Sequence, residues 1–196
     1  MPLILPKIGE AEYIEKKSQF LGYCAPIESE YHAKDIISQV SARHQKANHN
    51  CTCYSIKSLN IIRFNDDGEP SGTAGMPMLN VFEKAGVINY VCVVTRYFGG
   101  ILLGAGGLVR AYTKAAKLAM DDAAPTELLT WLHFRVQCAY NQFDNVKYHF
   151  NKWNIEIIDI EYSENCTLYV KMTDDNTDEF LKGNFYTHEL IDPSNL

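Results

Sequence analysis

Nine residues, Gly99 to Gly107, most constrain what this chain can fold into. They read Gly-Gly-Ile-Leu-Leu-Gly-Ala-Gly-Gly, so five of the nine are glycine. Glycine loses more backbone freedom on folding than any other residue, so this density implies a geometric use. Ahead of it, Val91-Cys92-Val93-Val94-Thr95 is a run of apolar and β-branched residues, as in a strand covered on both faces. Behind it the period changes to that of a helix. Leu108, Ala111, Tyr112, Ala115, Ala116 and Ala119 fall on one face, and Arg110, Lys114 and Lys117 recur at i, i+4 and i+7 on another. Residues 86–122 therefore predict a buried strand, a glycine-rich loop and a helix.

Two uses of the glycines stay open. In one, free amides at the helix start, the positive end of its dipole and a nearby Arg together hold an anion such as phosphate. In the other, the glycines let the helix approach the sheet. The spacing lacks the Gly-Lys-Ser/Thr of a P-loop and is not a dinucleotide fingerprint, so nucleotide hydrolysis is not indicated.

Charge is uneven along the chain. Residues 1–124 hold 13 Lys/Arg against 12 Asp/Glu, whereas residues 125–196 hold 5 against 12. The contrast predicts two domains, 1–124 and 125–196, with different surfaces. An acidic second domain is a poor nucleic-acid binder, while the first can bind through a local patch. The six cysteines, at 24, 51, 53, 92, 138 and 166, form no Cys-x-x-Cys pair and several lie in strand patterns. That fits free thiols in a reducing compartment. With no apolar run long enough for a membrane span and no secretory leader pattern at the start, a cytoplasmic protein without membrane contact is expected.

Along the chain, residues 12–26 read as two strands about a polar turn, and Ser29 caps a helix running to about Gln45. A strand follows over 49–56, placing His49, Cys51 and Cys53 on one face. Neighbours at i and i+2 chelate one metal poorly and no fourth ligand is evident, so neither metal nor cofactor is expected. Residues 65–77 form a long loop holding Asp66, Asp67, Glu69, Ser71 and Thr73. Its carboxylates suit cation or proton-transfer chemistry in one account. In the other they serve turn chemistry ahead of a helix over 74–84, with Thr73 near its cap.

The run Asp66-Asp67-Gly68-Glu69-Pro70-Ser71-Gly72-Thr73-Ala74-Gly75 is followed by Val93-Val94-Thr95-Arg96-Tyr97-Phe98-Gly99-Gly100. Then comes Leu103-Gly104-Ala105-Gly106-Gly107-Leu108-Val109-Arg110-Ala111-Tyr112. These runs, with His49-Asn50-Cys51 and Ser18-Gln19-Phe20, resemble the IMPACT/YigZ family. The resemblance implies an α+β first domain like the second domain of a small-subunit ribosomal protein, a mixed sheet with helices on one face. It implies a second, ferredoxin-like domain similar to domain five of elongation factor G. Strands at 132–138, 155–162 and 165–172 and helices at 141–153 and 174–182 fit that pattern. Phe143, Val146, Tyr148 and Phe150 are the first helix's apolar positions, and only 188–191 remain for a closing strand. Eukaryotic relatives regulate the amino-acid-starvation control of translation initiation through a protein partner.

Three functions follow. The first is a non-catalytic binding protein of the translation or stress apparatus, meeting RNA or ribosomal phosphates through Arg96, Tyr97, Gly99, Gly100, Gly104, Gly106, Gly107, Arg110, Lys114 and Lys117. Tyr97 or Phe98, if exposed, would stack on a base. The second is regulation through a protein partner. The third is an enzyme acting on a phosphorylated small molecule, in a pocket joining the 66–75 and 99–107 loops and lined by His49, Asn50, Asp66, Asp67, Glu69, Ser71 and Thr73.

Overall fold

The computed structural model describes residues 2–129, 131–173 and 177–192. They form two compact units, one ending at Leu128 and the other starting at Leu129.

The first unit contains β1 (Leu3–Ile4), β2 (Gly9–Glu15), β3 (Ser18–Pro26), α1 (Glu30–Arg43), β4 (His49–Ile56), β5 (Ile61–Asn65), α2 (Gly75–Ala85), β6 (Tyr90–Tyr97), α3 (Gly104–Ala123) and β7 (Thr126–Glu127). Ser29 caps α1 as expected, its Oγ accepting from the His32 N–H at 3.1 Å. Five strands pair in the order β2-β3-β6-β4-β5. Every pairing is antiparallel, which corrects the expected mixed sheet.

The helices lie on both faces, which corrects the one-sided arrangement that the family resemblance implied. Alternate residues of a strand point to opposite faces. Along β6, Cys92 and Val94 join a core with Met78, Leu79 and Phe82 of α2 and the alanine face of α3. Val91 and Val93 join a second core with Ala33, Ile36 and Val40 of α1. The continuous apolar run of β6 follows from this double burial and was the better guide.

α3 lies close over β2 and β3. A Cβ on Gly22 would stand 2.6 Å from the Ala115 carbonyl oxygen, and Ala111, Ala115 and Ala119 are all buried. Part of this chain's small-residue usage therefore serves packing. β7 pairs with β1, placing Glu127 opposite Leu3 and Thr126 opposite Ile4. That pairing carries the first unit to Leu128, four residues beyond the boundary the charge contrast indicated.

The second unit contains β8 (Trp131–Cys138), α4 (Phe143–Lys152), β9 (Glu156–Tyr162), β10 (Cys166–Thr173), α5 (Thr177–Leu181) and β11 (Thr187–Leu190). Its antiparallel sheet has the order β11-β8-β10-β9, a split βαβ pattern. The closing strand exists: β11 runs beside β8 with His188 opposite Val136. Val146 and Phe150 of α4 and Phe180 of α5 pack on Phe134, Val136, Leu168 and Val170. Tyr148, expected on the inner face of α4, is 65% exposed. Residues 174–176 of the expected last helix lie outside the described residues.

Candidate functional site

α3 begins without a side-chain cap. The first N–H groups of a helix have no partner within it. Those of Gly104, Ala105 and Gly106 find no acceptor among the described residues, and all three residues are exposed. Gly104 has a φ of +69°, a left-handed conformation that glycine adopts without cost. Arg110 lies across this turn, its Nη1 being 3.9 Å from where a Cβ on Gly106 would stand. Arg110 also acts on Tyr13 of β2. The Tyr13 hydroxyl donates to Glu15 at 2.7 Å, and that bond raises its pKa while the Arg110 charge pulls it down. Three exposed amides without an acceptor, a helix dipole and a guanidinium are thus gathered at the first turn of α3, a combination that suits an oxyanion. Lys114 is exposed one turn further on, about 6 Å along the helix axis.

Not every residue expected here belongs to this turn. Arg96 is 6% exposed. Its Nη1 donates to Glu69 Oε1 at 2.6 Å, and its guanidinium lies 5.4 Å from the ring centres of both Phe20 and Phe98. It is a buried structural cation, and the assignment of Arg96 as a phosphate contact is corrected accordingly. Tyr97 is half-buried and its hydroxyl meets His44 Nδ1 at 3.0 Å. Alternation along β6 places it with Val93 on the α1 face, so it is not the stacking ring beside the glycine loop. Phe98 is the exposed one, at 43%. Lys117 pairs with Asp121 at 3.0 Å, far down the helix from its start.

The glycines divide in the same way. Gly99 holds the loop: its N–H donates to Ser18 Oγ at 3.1 Å, and a Cβ there would overlap the Lys17 carbonyl. Gly107 is buried, and a Cβ on it would stand 3.0 Å from Leu103 Cβ. Gly100, Gly104 and Gly106 are open to solvent. Sequence reasoning missed two anchors. Ser18 is fully buried, and Asn48 Oδ1 accepts the Phe98 N–H at 2.8 Å. Neither stands out from its polar neighbours, Lys17 and Gln19 in one case and His49 and Asn50 in the other; the one signal was the presence of Ser18 in the Ser18-Gln19-Phe20 run.

The loop before α2 spends its carboxylates internally. Asp66 Oδ1 accepts the N–H groups of Ala74 and Gly75 at 3.0 and 2.8 Å, and its Oδ2 accepts that of Gly72 at 2.8 Å. Asp66 thus caps α2 from eight residues upstream, whereas the turn account of this loop places Thr73 near that cap. Thr73 instead donates to the Pro70 carbonyl at 2.6 Å. Asp67 Oδ2 accepts the Asn50 N–H at 2.6 Å, and its carbonyl takes the His49 Nδ1 hydrogen at 2.7 Å. Glu69 accepts from Arg96 and from the Tyr112 hydroxyl at 2.7 Å. Ser71 is exposed. The Asn50 side chain accepts from Thr95 Oγ1 at 2.7 Å, on the opposite face of the sheet from Cys51.

His49 Nε2 stands 3.9 Å from Glu69. Cys51 and Cys53 are buried in the core, as the packed-face account of this strand requires. Burial pushes the Cys51 thiol up to about 12, so it is protonated near neutrality and not a nucleophile. The loop therefore meets the glycine segment through a plugged ion pair, Glu69 to Arg96 to Phe98. No group of three or more His, Cys, Asp or Glu among the described residues is arranged to hold a metal ion, and no described helix is long and apolar enough to cross a membrane.

In the second unit, the cations of the sheet face turned away from α4 are paired. Arg135 meets Glu189 at 2.8 Å and Lys171 meets Glu156 at 3.0 Å. Unpaired positive charge on an exposed helix face, with open amides beside it, is found at the start of α3.

Two family models match the chain. Residues 16–120 match the Impact N-terminal domain model, and residues 136–182 match the Domain of unknown function (DUF1949) model. The IMPACT family member YvyE of Bacillus subtilis is 35% identical over 173 residues, 88% of this chain and 80% of that protein. The IMPACT family member YigZ of Escherichia coli is 33% identical over 168 residues, 84% and 82% of the two chains. A crystal structure titled as that of a hypothetical protein aligns over 97% of both chains at 29% identity, with a TM-score of 0.62. Matched over more than half its length by the family model, and over most of it by two named relatives, the chain belongs to the IMPACT family.

Proposed function

We propose that this chain is a non-catalytic binding protein of the translation apparatus, gripping the phosphate backbone of RNA with the first turn of α3. The observation that carries this is the trio of open amides at Gly104, Ala105 and Gly106 with the Arg110 guanidinium reaching back beside Gly106. Lys114 supplies a second cation one turn on, and the exposed Phe98 ring offers a stacking face nearby in sequence. The structural use of Asp66 as a helix cap and of Glu69 in a buried ion pair supports a binding role over an enzymatic one, since it takes these two carboxylates away from proton transfer. The link to translation, and to amino-acid stress, rests on the family's eukaryotic regulators.

Single-stranded RNA binding at two salt concentrations tests this. Affinity should fall steeply with salt, and Arg110→Ala should flatten the log–log slope by about one unit. A slope unchanged in the variant would remove the phosphate contact.

One observation favours a protein partner at the same place. Ile101 and Leu102 are 42% and 82% exposed, following Phe98 on one loop. An apolar loop tip beside open amides also suits the end of a partner polypeptide. Leu102→Ser distinguishes the two: RNA affinity survives it, and a partner's docking does not.

A further inference from the structure

A groove lies on the side of the first unit's sheet away from α3. α1 covers the β4 and β6 side of that face, and towards β2 it leaves a groove of about 390 Å³, within the range of small-molecule sites. Leu21 and Tyr23 of β3 floor it, Glu10 and Glu12 of β2 form one wall, and Arg43 and His44 at the end of α1 form the other. Register places Glu10 directly opposite Tyr23 and Glu12 opposite Leu21. The Arg43 guanidinium stands 5.5 Å from the Tyr23 ring centre. Positive and negative charge therefore flank one aromatic floor.

These charges do not satisfy each other. Among the described residues, neither Glu10 nor Glu12 pairs with a cation, and Arg43 pairs with no carboxylate. Glu12 accepts only a neutral amide, from Gln19 at 2.8 Å. No Glu10 or Glu12 oxygen comes within ion-pair distance of the Arg43 guanidinium. The negative end of the α1 dipole is worth about half a charge, so the full charge of Arg43 still leaves that wall positive.

The geometry points to a binding site for a small zwitterion, a dipeptide or amino acid. Its ammonium group meets Glu10 and Glu12, its carboxylate meets Arg43 and the His44 imidazole, and its apolar part lies on Leu21 and Tyr23. A ligand with one charge satisfies one wall and leaves the other unpaired, so selectivity comes from requiring both ends. This site is independent of the α3 turn, which lies across the sheet from it.

Two-dimensional amide NMR of the full chain, titrated with L-alanyl-L-leucine, tests the site. Saturable shifts at Leu21, Tyr23, Arg43 and His44 are expected, and the N-acetylated and C-amidated dipeptides should each bind about tenfold more weakly, as loss of one charge contact of ~1.4 kcal/mol requires. Glu10→Gln and Arg43→Gln, both at exposed positions, should each cost a similar factor. The proposal is overturned if no saturable shift appears up to about 10 mM, a concentration that reveals even millimolar affinity. Equal binding of the capped dipeptides, or shifts confined to other residues, overturns it too.

Discussion

The carboxylate of Glu69 stands 2.6 Å from Nη1 of Arg96, and these side chains are 3% and 7% exposed. This contact joins the loop before α2 to the central strand β6. The Tyr112 hydroxyl donates to the same Glu69 oxygen, so α3 is tied in as well. Three elements distant in sequence thus converge on one atom. The Arg96 Nε is buried without a partner, which leaves Glu69 as the sole countercharge close to that guanidinium among the described residues.

Glu69→Gln should therefore destabilise the first unit by about 3–5 kcal/mol, the cost of leaving one member of a buried pair uncompensated. The Gln oxygen can still accept from Tyr112, so the loss reports the ion pair and not the hydroxyl bond. Replacing both partners, with Arg96→Met added, should recover much of it, because the desolvated charge is then gone. Urea unfolding of the single and double variants measures this. A single-variant loss below about 1 kcal/mol, the usual worth of an exposed pair, would mean that water reaches Arg96.

Asp66→Ala should cost about 1–2 kcal/mol, as loss of a helix cap does. Three amides lose their acceptor at once, those of Gly72, Ala74 and Gly75. Hydrogen exchange should accelerate at these three amides and leave the β6 amides protected. Uniform acceleration throughout the unit would place the role of Asp66 in global stability instead of in starting α2.

The elements themselves were legible because their periods were strong. The apolar face of α3 reads directly from Leu108 to Ala119, and the double burial of β6 reads from its unbroken apolar run. What could not be read was which polar groups are consumed inside. Arg96 and Arg110 look alike in sequence, yet one is sealed by Glu69 and two phenylalanine rings while the other lies open. That difference depends on a contact spanning 27 residues, which no local pattern encodes. Likewise Asp66 caps a helix that starts nine residues later, because the intervening loop folds back on itself, beyond the span that local capping rules cover. The side of the sheet taken by α1 was equally hidden, since a helix's apolar stripe does not say which face it will cover.

Raising the pH above about 9 should destabilise the first unit. The thiol of Cys51 has an ordinary value of 9.0 and is pushed up by burial to about 12. Between those values the unfolded chain has released a proton that the folded chain still holds. Stability then falls with pH through that window and is fully present below it. Cys51→Ala should blunt the alkaline slope of the unfolding free energy, at some cost in packing. An unchanged slope would assign the alkaline loss to other buried groups, such as Tyr112, which burial also raises.

Gly104 and Gly106 sit two residues apart in the first turn of α3, yet they should respond oppositely to alanine. Gly104 has a φ of +69°, which strains any side chain, so Gly104→Ala should cost about 1 kcal/mol. A Cβ on Gly106 would touch only the end of Arg110 at 3.9 Å, and this residue is not in the left-handed region. Alanine is the better helix former there, so Gly106→Ala should stabilise the fold by about 0.5–1 kcal/mol. Thermal melts of the two variants test this directly. If Gly106→Ala raises the melting temperature while weakening RNA binding, folding does not require that glycine, and its worth lies in letting a ligand come close to the helix start. If it raises the melting temperature and leaves binding intact, the ligand does not approach the α3 backbone at that residue.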